Sequence, residues 1–225
     1  MHLFFILFLS CIAHAGFNIN PFILKLNVSR GEHIGWLETS HSGGSDPVAV
    51  ELVMHERILD IDGNVKDTVI PTKDFVILPA RILLYPKESA KTQIIYRGKQ
   101  KVDADKAYFL HAREIPLPQR QEYEEAVRAN FSVLVNYNVL IAMETNKPSS
   151  LSFVSSRNLS DGFVELIMEN KGKGHFTFED VYIYIGKEKI TDFTGRKNSV
   201  MPGQQRRFIF KHHKAPTSKE VRFGK

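Results

Sequence analysis

An all-β chain built as two sandwiches is what the sequence predicts, and three observations predict it. Amphipathic helical spacing is nearly absent from the 225 residues, and its one candidate, QRQEYEEAVRAN at 119–130, is short and lies between strand patterns. Elsewhere apolar residues alternate with polar ones, or run for a few positions between turn residues, which is the period of a pleated strand. A polar, proline-containing stretch, ETNKPSS at 144–150, then divides the pattern into a longer first series and a shorter second one.

The chain opens on LFFILFLSCIA at 3–13, an apolar run too short to span a bilayer. Ala13-His14-Ala15 follows as a small-x-small cleavage pattern, so residues 1–15 are predicted to be a secretory signal peptide, although the leader carries no Lys or Arg. Cys11 as a lipoprotein site is the alternative, with Phe8-Leu9-Ser10 a poor lead-in. Cys11 is also the only cysteine, so the chain from Gly16 onward has no disulfide and relies on its core.

Six strand patterns follow: FNINPFILKLNV, HIGWLET, VAVELVMHERIL, DFVILPARILLY, TQIIYRG and AYFLHARE. Turn-rich segments separate them, and Asp62-Gly63 predicts a hairpin turn. With the strand that follows 119–130, this spacing predicts an immunoglobulin-like sandwich over 16–143. Residues 144–150 form the linker. A second immunoglobulin-like sandwich over 151–225 takes LSFVSS, GFVELIMEN, HFTFEDVYIYIG, EKITDF, QRRFIF and KEVRF.

One strand pattern is too long. Across 127–143, VRANFSVLVNYNVLIAM, every odd position is apolar, from Val127, Ala129, Phe131 and Val133 through to Met143. At about 3.3 Å per residue this stretch reaches roughly 55 Å, whereas a typical strand is about 17–20 Å. It bends and serves both sheets, or it is two strands, or its apolar side projects beyond its own sheet. An overhanging edge of alternating large side chains is suited to β-strand addition by another chain.

Several pieces resemble, in order, the periplasmic pilus (fimbrial) chaperones, the PapD-like proteins. They are FNINPF at 17–22, ERILDIDGN at 56–64, DFVILPARILLYPKES at 74–89, AYFLHAREIPLP at 107–118, VNYNV at 135–139, MENKGKGH at 168–175 and VMPGQQRRF at 200–208. The resemblance implies two immunoglobulin-like domains in a boomerang arrangement, located in the periplasm. Such a protein caps pilus subunits by donor-strand complementation and delivers them to an outer-membrane usher, with no catalysis, cofactor or metal. Its donor positions map to Val127, Ala129, Phe131 and Val133. Inserting four such side chains would contribute roughly 5–10 kcal/mol before ordering costs.

The sequence departs from that family at the anchor for the subunit's C-terminal carboxylate. Ile23 and Leu134 stand where an arginine and a lysine are expected, and Lys25, two residues on and on the same strand face, is the candidate substitute. Asp105 occupies the acidic position that braces the two domains in relatives. Arg113 and Glu114, before Pro116, read equally as a solvated strand end or as specific pairs.

Other signals are weak. The net charge of +5 comes with no run of five basic residues, so nucleic acid is not an expected partner. DIDG at 60–63 begins like a calcium loop but lacks the downstream acidic ligand. His212 and His213 are adjacent, so on a strand they point to opposite faces and metal binding is not expected there. No nucleophile or phosphate-loop motif is present. The expected partners are pilus subunits and an usher, with no stable membrane insertion and self-capping in a dimer as a further state. The alternative reading is a secreted two-domain adhesion or structural protein.

Overall fold

A computed structural model describes residues 16–66, 70–98, 102–117, 134–179 and 181–224. The signal peptide, the candidate helix at 119–130 and the donor positions Val127, Ala129, Phe131 and Val133 lie outside the described residues. Among the described residues no helix is long and apolar enough to cross a membrane.

Two prolines shape the first sandwich. FNINPFILKLNV is two strands, β1 (Phe17–Asn20) and β2 (Ile23–Asn27), and Pro21 between them sends the chain from one sheet to the other. Proline has no N–H to give a ladder, so a strand stops there and the next can start elsewhere. The same happens at Pro79. DFVILPARILLY becomes β5 (Phe75–Leu78) and β6 (Arg81–Leu84), again in opposite sheets. Between these come β3 (Ile34–His41) and β4 (Val48–Glu56); after them come β7 (Ser89–Tyr96), β8 (Lys106–Ile115) and β9 (Asn136–Glu144). One sheet runs β1-β3-β7-β5 and the other β2-β9-β8-β4-β6.

Period-two patterning decides what fills the space between these sheets. Val50, Leu52 and Met54 on β4, Leu110 and Ala112 on β8, and Ile94 on β7 are buried in one cluster with Phe17, Leu26 and Leu37. From β9 the same cluster takes Val139, Ile141 and Met143, all at 0% exposure. Odd positions from 139 to 143 are therefore the first sandwich's own filling. The projecting-edge reading of 127–143 is corrected to this extent: the nine-residue β9 turns its odd side chains inward.

The second sandwich is smaller. Its sheets are β10 (Leu151–Asn158), β11 (Phe163–Asn170) and β14 (Gln205–Lys211), and β13 (Glu188–Ile190), β12 (Tyr182–Ile185) and β15 (Val221–Gly224), in the orders β10-β11-β14 and β13-β12-β15. Phe208 is central, packing edge-on against Phe178 and Phe193.

The turn at Asp60–Asn64 closes as the sequence indicates, with Leu59 bridged to Val65. Asp60 caps it, its carboxylate accepting N–H groups from Asp62 at 2.9 Å and Asn64 at 2.8 Å. The turn is also a tie between sandwiches. The Arg207 guanidinium grips both Asp62 carboxylate oxygens, with Nε at 2.6 Å from Oδ1. Arg207 N–H donates to the Ile61 carbonyl at 2.8 Å, and Asn198 Nδ2 to that of Gly63 at 2.9 Å. Gly63 has φ +82°, and a Cβ there would stand 2.6 Å from the Lys197 carbonyl oxygen, so both conformation and approach require glycine. Arg207→Ala is expected to speed proteolytic cleavage of the 145–150 connection several-fold. An unchanged cleavage rate would show that this tie does not restrain the two sandwiches.

Candidate functional site: the half-covered edge of the ninth strand

β9 is paired unequally along its two sides. Toward β8 it is covered along its length, antiparallel from Arg113↔Asn136 to Lys106↔Met143. Glu114 extends that ladder by one step. Its N–H donates to the Val135 carbonyl at 3.0 Å, and its carboxylate accepts the Val135 N–H at 3.3 Å. Toward β2 the parallel pairing begins only at Ile23↔Leu140 and ends at Asn27↔Glu144. Among the described residues, the stretch 134–138 has no ladder partner on that side.

Apolar side chains flank this open stretch. Phe22 is 55%, Ile23 54% and Leu134 42% exposed. Phe22 packs edge-on to Tyr137 with ring centroids 5.6 Å apart, and Tyr137 O–H donates to the Phe17 carbonyl at 3.2 Å. Val135 and Tyr137 lie partly buried against the core. Unpaired backbone groups beside exposed apolar side chains are the two components that strand addition needs.

Ile23, one of the two positions without the expected anchor charge, pairs in the ladder with Leu140, a register that local sequence does not encode. Lys25 sits opposite Ala142, and its ammonium is 2.9 Å from Glu144 Oε1 with the side chain 66% exposed.

Arg113 and Glu114 form specific pairs. Glu51, itself buried, accepts from Arg81 Nη2 at 2.7 Å on one oxygen and from Arg113 Nε at 2.7 Å on the other. The two guanidiniums, Arg81 first and then Arg113, outweigh burial and hold the Glu51 carboxyl below its usual range.

Asp105 joins three parts of the chain. Its Oδ1 accepts Thr145 N–H and Thr145 Oγ1–H, each at 2.7 Å. Its Oδ2 accepts His175 N–H at 3.0 Å and lies 2.7 Å from His175 Nδ1. Asp105 N–H donates in turn to the Lys173 carbonyl at 2.8 Å. Next to it, exposed Asp103 takes Lys147 and Lys173, whose ammonium groups hold its carboxyl down to about 2. Sequence reading singled out Asp105 but none of these partners. His175 lies 70 residues away, and no local pattern records that distance.

His212 and His213 do not point to opposite faces. β14 ends at Lys211, and past it the rings come within 4.2 Å, centroid to centroid.

No protein-family model and no curated protein sequence matches the chain. Solved structures do. A chain of the chaperone–tip adhesin complex of CFA/I fimbriae is 15% identical, with 93% of this chain and 98% of that chain covered and a TM-score of 0.62. The class 5 fimbrial chaperone CfaA is 16% identical over 92% and 97% of the two chains, with a TM-score of 0.58. The Salmonella enterica SafA pilin–SafB chaperone structure matches at 13% identity over 86% and 83%, with a TM-score of 0.54. The chain therefore has the two-sandwich β fold of these fimbrial chaperone structures.

Proposed function

We propose that this protein is a periplasmic chaperone that caps fimbrial subunits by lending them a strand and passes them to an outer-membrane usher. The observation that carries this reading is the uncovered side of β9 at 134–138, flanked by Phe22, Ile23 and Leu134. N-terminal to it, the odd-position stripe runs on in sequence through Val133, Phe131, Ala129 and Val127. An incomplete subunit would take main-chain hydrogen bonds from such an edge and pockets' worth of apolar side chains from the stripe. Solved relatives in fold were captured with a tip adhesin and with a pilin, which supports the same role here. Burial supplies the free energy, so the reading calls for no catalytic group, nucleotide or metal.

Co-expression with a fimbrial subunit tests it. The chain should co-purify from the periplasm with the subunit at 1:1 stoichiometry. Self-association, or glycan binding without subunit capture, would instead identify the adhesion protein.

Lys25 is the proposed anchor for the subunit's terminal carboxylate, exchanging Glu144 for it on binding. Lys25→Ala should weaken capture of subunits with an intact C-terminus. Stability should hardly change, since exposed ion pairs contribute about 0–1 kcal/mol. Equal capture by Lys25→Ala and unaltered protein would remove Lys25 from this role.

A further inference from the structure

The second sandwich holds a cluster that strand capture does not use. Beyond Lys211 the chain leaves its ladder and bends, so the alternation that would separate adjacent side chains no longer applies. The His212 and His213 rings meet there. Glu188, the first residue of β13 in the opposite sheet, brings its Oε2 to 3.3 Å from His212 Nε2. One ligand atom from each of the three residues lies within 4.8 Å of the others.

His212 Nδ1 lies 2.5 Å from the Lys214 carbonyl oxygen and 3.4 Å from the Lys214 N–H, so the tautomer with its hydrogen on Nδ1 makes the closer contact. In that tautomer the Nε2 lone pair faces the Glu188 carboxylate oxygen at 3.3 Å, which places two metal-donor atoms side by side.

We propose that Glu188, His212 and His213 form a site for a divalent transition-metal ion of the zinc class. Two imidazoles and one carboxylate are a zinc donor set, with a fourth position left to water. A ligating histidine that donates its other N–H to a backbone carbonyl is the outer contact such sites use to fix the ring. With zinc–ligand bonds of about 2.0–2.2 Å, tetrahedral donors stand about 3.3 Å apart, the spacing already present between Glu188 and His212. Glu188 and His213 are exposed, so rotation of their side chains brings the third donor in. The ion would join the start of β13 to the end of β14 across the two sheets. It would act as a cross-link in a stretch, 16–225, that has no cysteine.

Titration of the untagged protein with ZnCl2 in a neutral, non-chelating buffer tests this by calorimetry, alongside thermal unfolding with and without the ion. Saturable 1:1 binding and a raised Tm are expected. His213→Ala and Glu188→Gln, both at exposed positions, should each weaken binding about tenfold or more without altering the metal-free Tm. His212→Ala should remove binding. The proposal is overturned by no saturable binding below about 1 mM Zn2+. It is equally overturned by binding that all three substitutions leave unchanged.

Discussion

Phe131→Asp should abolish subunit capture while the protein remains folded. Phe131 is the largest side chain of the proposed donor set, and burying it is worth about 1.5–3 kcal/mol. Forcing a carboxylate into an apolar groove adds a further penalty of several kcal/mol, or leaves the groove unfilled. Together these correspond to a loss of affinity of about a hundredfold or more. The core of the first sandwich draws on Val139, Ile141 and Met143 from β9, so its Tm should hold. Ser155→Asp is the matched control. It adds the same charge at an exposed position on β10, away from the proposed binding edge, and should leave capture nearly intact. Wild-type affinity in Phe131→Asp would remove 127–133 from the donor role.

The second large effect is expected at Asp105. Its carboxylate is buried and takes two hydrogen bonds from Thr145, one from the His175 N–H and a contact from the His175 ring. Asp105→Ala leaves those donors without their acceptor, at a cost of about 1–3 kcal/mol for each buried group left unpaired. Asp105→Asn keeps one acceptor oxygen and should lie between. Burial by itself pushes the Asp105 carboxyl up, but the hydrogen bonds from Thr145 and His175 outweigh it and hold the group below its usual value. A carboxyl depressed by folding stabilises fully above its unfolded value, about 3.9, and loses that contribution as pH falls through the folded one. Denaturant unfolding should therefore show the gap between unaltered protein and Asp105→Asn narrowing below about pH 4. A gap of equal size at neutral pH and in acid would contradict the hydrogen-bond account. Asp103 also titrates in acid, but it is present in both proteins and cancels from the comparison.

Strand positions were largely legible because burial on one face writes itself into alternate residues. Pattern readings such as TQIIYRG, AYFLHARE, GFVELIMEN and QRRFIF coincide with β7, β8, β11 and β14 within a few residues. Pro21 and Pro79 were visible as residues that interrupt a ladder. Their effect, a change of sheet, was not visible, because a missing N–H says where pairing ends and not where it resumes. Likewise the odd-position stripe leaves open whether it is one bent strand, two strands or a projecting edge. Among the described residues, Val139, Ile141 and Met143 fill the first sandwich's own core, which parity alone could not tell, since a side chain's parity is the same whether it fills its own core or another protein's groove.

Local order in the chain therefore determined the all-β class and the face that each strand turns inward. Tertiary structure alone decided that Asp62 meets Arg207 across 145 residues, that Asp105 meets His175, that Ile23 lies beside Leu140, and that two neighbouring histidines converge on Glu188. The reason is physical. Backbone geometry sets a periodicity that any short window displays, whereas an ion pair or a ladder register depends on where distant segments are carried by the packing of everything between them.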